Sequence, residues 1–120
     1  MKKININLEL GKLEFPKGDL LEGKSNKEIV KFHIENACGL YQMQEKGLIL
    51  SDQRKIMKIF DALEEEKDGY IELEDDWFDY LYKIFTSIKF QGGTKIVVKI
   101  GDELERVKTL ESKKKEKRGE

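Results

Sequence analysis

Between Phe60 and Phe85 the chain reads FDALEEEKDGYIELEDDWFDYLYKIF, and no other stretch limits its fold as tightly. Two helical patterns flank a single Asp68-Gly69 turn. Upstream, Ile56, Ile59, Phe60 and Leu63 recur at i, i+3, i+4 and i+7, one apolar stripe along a helix. Downstream, Trp77 or Phe78, Leu81, Ile84, Phe85 and Ile88 form the inner face of a second helix. Gly69 reads as the C-terminal glycine of the first helix, because glycine takes positive φ without strain. Tyr70–Leu73 is then a short strand, and Glu74 or Asp75 opens the next helix.

The remaining segments follow from periodicity and punctuation. Ile4, Ile6, Leu8 and Leu10 alternate with polar residues, a strand with one buried face. Gly11-Lys12 can turn the chain into Leu13 and Phe15, so a β-hairpin is expected at the N-terminus. Ser25-Asn26-Lys27-Glu28 is a capping box that opens a helix through Ile29, Val30, Ile34, Ala37, Cys38 and Tyr41. Gly39 either weakens this helix by about 1 kcal/mol or marks close packing, and Gly47 ends it. Leu48–Leu50 is an apolar connector, and Ser51 caps the next helix. KIVVKI, Lys95–Ile100, alternates like a strand that Gly101 breaks. Asp102 and Glu105 then suggest a capping box, with Leu104, Val107 and Leu110 at helical spacing. The order predicts an α+β fold, a small antiparallel or mixed sheet (the N-terminal hairpin plus short later strands) packed against three to four helices. Residues 1–110 form the single domain, and residues 111–120 a basic, disordered tail.

The chain has 120 residues, enough for one domain with a modest core. Charged residues make up 39% of it at a net charge of −1, so the balance points to a soluble protein. The charge is unevenly placed. Asp61–Asp79 holds ten acids against Lys67 alone, whereas Lys83–Arg118 holds eleven bases against five acids. Cys38 is the single cysteine and His33 the single histidine, which excludes an internal disulfide and a cysteine-based zinc site. No apolar run approaches the roughly 20 residues that span a bilayer. MKKININLEL begins like a signal peptide but lacks a continuous apolar segment. A cytoplasmic protein with no membrane contact is expected.

With Gly69 in sixth place, Glu64, Glu66 and Asp68 fall at positions one, three and five of a twelve-residue loop, Tyr70 at seven, Ile71 at eight, Glu72 at nine and Asp75 at twelve. This resembles the EF-hand loop, which implies a calcium-responsive module at residues 64–75. The chain departs from that pattern at Glu64, where the family has Asp, and at Asp75, where it has a longer Glu. A second loop is lacking. The helix–turn–strand reading is therefore preferred, with no metal or cofactor expected. It leaves Glu64, Glu65 and Glu66 in a last helical turn, where the macrodipole disfavours acids by roughly 0.3–1 kcal/mol each. A cation, a basic partner or the protein's own lysines would relieve them, and the last is the simplest.

Catalytic constellations are missing. His33 and Cys38 lie about 140° apart on a helix wheel at roughly 100° per residue. No serine sits in a nucleophile elbow, and no Walker loop is present. A non-enzyme is expected. The KKKEKR tail can attract phosphate backbone, giving a nucleic-acid-associated alternative, but it carries no aromatic for base stacking. Trp77, Phe78, Tyr80, Tyr82 and Phe85 crowd one helix and cannot share one stripe. Trp77, Tyr80 and Tyr82, with the acids Glu64, Glu65 and Glu66, are therefore the candidate partner-binding residues, since aromatics are enriched at interfaces.

The run KIFDALE…DGYIELEDDWFDYLYKIFTSI followed by TKIVVKIGDELERV resembles small phage- and prophage-encoded accessory proteins of unknown function. The likeness spans about Ile4 to Leu110 and is one of pattern. It carries no catalytic residue across, and the Glu64–Glu66 run and the basic tail depart from it. It implies a small accessory protein that works by binding another protein.

Overall fold

The computed structural model describes residues 1–13 and 15–118, with side chains as far as Leu110. Its elements are β1 (Lys2–Asn5), α1 (Asn26–Gln44), α2 (Leu50–Glu64), β2 (Tyr70–Leu73), α3 (Asp75–Ser87) and α4 (Thr94–Arg118). The fold is α+β: a two-stranded antiparallel sheet held among four helices. Among the described residues no helix is long and apolar enough to cross a membrane.

The first strand pairs at long range. Lys2 lies opposite Leu73, Lys3 opposite Glu72, Ile4 opposite Ile71 and Asn5 opposite Tyr70. The expected N-terminal hairpin is thus replaced by a partner more than sixty residues along the chain. Period two holds across the pair: Ile4, Ile71 and Leu73 point inward, and Lys3 meets Glu72 on the outer face at 4.0 Å. Ile6 and Leu10 continue the inward set without a ladder, and Leu13 and Phe15 pack on the core as loop.

Ser25 caps α1 as its sequence predicts, its hydroxyl accepting from the Glu28 N–H at 3.3 Å. The helix ends in a Schellman motif: the Gly47 N–H reaches the Gln42 carbonyl at 2.9 Å and the Lys46 N–H the Met43 carbonyl at 3.2 Å. Ser51 does not cap α2. Ile49 takes the N-cap position and offers no side-chain bond; the helix is entered because its carbonyl accepts from the Asp52 and Gln53 N–H groups.

Gly69 is not a helix cap either. α2 has already ended at Glu64, and Lys67–Tyr70 forms a two-residue hairpin turn. Lys67 and Tyr70 exchange both backbone bonds, at 2.9 and 3.0 Å, while Asp68 (φ 53°) and Gly69 (φ 84°) take positive φ. Two successive positive φ values define the type I′ turn that Asp-Gly favours. A Cβ at Gly69 would also lie 2.9 Å from the Asn7 Cβ.

The largest departure is α4. Lys95–Ile100 is no strand but the first turns of a helix that runs through Gly101 without a break. Ile96, Ile100, Leu104 and Val107 are its buried apolar residues among those described, and Val98 is 52% exposed. Packing overrides the β-branched propensity of KIVVKI, as tertiary context commonly does. Residues 102–110 are therefore helical. The backbone of α4 continues to Arg118, and the charges assigned to the 111–120 tail lie outside the described residues. α4 runs along β1, α2 along β2, and α1 touches all three other helices.

Candidate interaction surface

The acidic side of the molecule is built from the end of α2, the outer face of β2 and the start of α3. Glu64 and Glu65 are exposed there. Glu66 is different: its side chain is 8% exposed and bonds to Lys27 Nζ at 2.7 Å, with Lys31 Nζ at 3.6 Å. It also accepts from the Gly69 N–H at 3.1 Å. The protein's own lysines thus answer one of the three acids, tying α1 to the hairpin turn. The Lys27 hydrogen bond, then the Gly69 N–H, holds the Glu66 carboxyl below its ordinary range.

The residues of the EF-hand-like run are dispersed. Glu66 faces α1, Glu72 faces Lys3, and Asp75 lies in the first turn of α3. Among the described residues no three Asp, Glu, His or Cys side chains converge to hold a metal.

The three aromatics separate as well. Tyr80 is buried, edge-on to Tyr41 at 6.0 Å between ring centroids, with Lys55 Nζ 5.0 Å over its ring. Its hydroxyl is the one buried side-chain polar atom without a hydrogen bond among the described residues. Burial, then the nearby Asp52, pushes its phenol well up. Tyr80 belongs to the core. Tyr82 is half-buried, stacks on Phe78 and carries Lys108 Nζ 3.9 Å from its centroid. Its hydroxyl donates to Glu105, so it joins α3 to α4, and that bond raises its pKa. Trp77 is the one of the three that lines a surface groove. It is half-buried under Lys58 Nζ at 5.4 Å and lines a groove with Met1, Asp61, Glu65 and Glu74.

His33 and Cys38 stay apart from each other's chemistry. His33 Nδ1 lies 3.0 Å from the Ile29 carbonyl, one turn back along α1. Cys38 is fully buried, and burial pushes its thiol up to about 12. It remains protonated at neutral pH and is a poor nucleophile.

Sequence reasoning missed a second surface, on the solvent side of α2. Leu50 is 64% exposed and Met57 63%, and Phe60 is half-buried beside them. Ile49 and Met43, at the α1–α2 connection, are exposed as well. Gln42, Gln53 and Arg54 rim the groove that Leu50, Met57 and Phe60 floor. Gln53 donates to Gln42 at 3.0 Å, joining α2 to α1 at its edge. The signal is legible as Leu50, Met57 and Phe60 at i, i+7 and i+10, but Leu50 also reads as part of the apolar connector and Phe60 as part of the core stripe. No protein-family model, curated protein or solved structure matches this chain.

Proposed function

We propose that this chain is a small non-enzymatic protein that works by binding another protein, and that its docking face is the solvent side of α2. The observation that carries this reading is the contiguous exposure of Leu50 and Met57 beside Phe60, on a helix whose other face is already filled by Ile56, Ile59, Ala62 and Leu63. Single exposed apolar residues are ordinary, but a joined apolar surface with a polar rim marks an interaction site. The buried, protonated Cys38 and the backbone-bonded His33 support binding over catalysis.

The test is site-specific photo-crosslinking in the native host. A photoreactive residue in place of Met57 is expected to give a discrete protein adduct, which Leu50→Asp suppresses. The same residue in place of Asp102, exposed on α4, is the control. No adduct at Met57, or equal labelling at both positions, refutes the assignment of this face.

A further inference from the structure

We infer that the partner on the α2 face is a second copy of this chain, its α2 antiparallel to the first across a two-fold axis beside Met57. This rests on the docking face proposed above and names its occupant. Leu50, Arg54, Met57, Asp61 and Glu64 follow one another at spacings of four, three, four and three residues. At roughly 100° per residue they share about 80° of arc, the seam of a helix that packs lengthwise on another. The seam reads apolar, basic, apolar, acidic, acidic. Turned end for end, its three middle positions complement themselves, while Leu50 falls opposite Glu64. Met57 lies on Met57, and each Arg54 lies opposite the Asp61 of the other copy.

Two features of the single chain fit this pairing. Arg54 and Asp61 are exposed, and neither side chain has a partner among the described residues. The N-terminus of α2 lacks a side-chain cap, while Glu64 and Glu65 stand at its C-terminal end, where the macrodipole disfavours them. In the antiparallel pair those acids lie beside the open first turn of the other helix, so each end relieves the other. Methionine at the centre suits self-contact, because its flexible thioether fills irregular gaps. The helix has 15 residues, a length of about 22 Å. So short a seam covers less than the roughly 1,200 Å² of standard interfaces, so the dimer is concentration-dependent and weakened by salt.

Sedimentation equilibrium from about 1 μM to 1 mM spans such affinities. The mass is expected to rise from 14.0 kDa toward twice that value. Arg54→Glu and Asp61→Arg should each weaken the dimer about tenfold or more, and the double swap should restore it. Both residues are exposed, so circular dichroism and melting of the single variants should match the parent. A chain that stays monomeric throughout overturns the inference, as does a dimer indifferent to both single swaps. A Met57 adduct to a different protein, with no dimer, keeps the docking face and removes the second copy as its occupant. Loss of both the dimer and the adduct removes the face itself.

Discussion

Glu66 and Tyr80 are polar side chains that the same fold takes out of water with opposite results. Glu66 gains two lysines and a backbone N–H. Its folded pKa is lowered, so its contribution is fully present above the ordinary value of 4.5 and is lost as pH falls through the folded value. Lys27, raised mainly by its hydrogen bond to Glu66, contributes below its ordinary 10.5 and loses that only as pH rises through the folded value. At neutral pH both contributions are complete. In urea titrations between pH 7 and 2, Glu66→Gln is expected to flatten the acid limb of unfolding free energy relative to the parent; an unchanged limb would show that the latch is idle. Tyr80 brings its hydroxyl into the core beside Tyr41, without a hydrogen bond of ordinary geometry. A buried unpaired polar group costs about 1–3 kcal/mol. Tyr80→Phe should therefore raise unfolding free energy, by up to roughly 1–3 kcal/mol; a loss of about 0.5–1.5 kcal/mol would show that the hydroxyl bonds to Tyr41.

Among the elements, α4 shows most plainly how a segment's own pattern can mislead. KIVVKI satisfies period two through Ile96, Val98 and Ile100, but Ile96 and Ile100 also stand four apart and continue to Leu104 and Val107 at helical spacing. The second pattern is longer, and it is the one buried. Gly101, read as a breaker, lies inside the helix, and a Cβ there would meet nothing within 4 Å. The same is true of Gly39 in α1, which settles that this glycine serves no close packing. Gly39→Ala and Gly101→Ala are each expected to raise stability by about 0.5–1 kcal/mol, the helix-interior gain over glycine. Thermal melts of the two single variants and the double variant check this, and the gains should add because the sites lie on different helices.

At the scale of the whole molecule, the two strands meet because helices run along both edges of the sheet, α4 beside β1 and α2 beside β2. A two-stranded sheet alone is marginal in water. Glu103, 7% exposed on α4, accepts the outward Asn5 N–H of β1 at 2.6 Å. Arg106 grips the same carboxylate at 2.7 and 2.8 Å. One side chain thereby closes the free edge of β1 and fixes α4 along it. Glu103→Ala leaves that N–H unpaired and should lower stability by about 1.5–3 kcal/mol, the range for hydrogen bonds to charged groups. Hydrogen exchange at Asn5 should quicken more than at the α1 core, whereas uniform loss across the chain would mean that Glu103 does not hold this edge in particular.

What the sequence by itself determined was whatever a segment settles through its own neighbours. Ser25 bonds three residues ahead, the Asp68-Gly69 pair turns the chain with positive φ, and the inner faces of α1 and α3 repeat every three or four residues. These features close within a turn or two of chain, so local residue types suffice. Only the tertiary structure decided that β1 pairs with β2, that KIVVKI winds into α4, that Tyr80 goes inside, and that Leu50 and Met57 stay outside. Each of these depends on which distant surface remains uncovered once the helices pack. An alternating strand pattern states that it needs a partner and one buried face, but the identity of that partner is set by long-range burial. For the same reason the exposed apolar surface on α2 was hidden: its residues are apolar in the sequence either way, and packing alone separates the apolar side chains that fill the core from those left facing solvent.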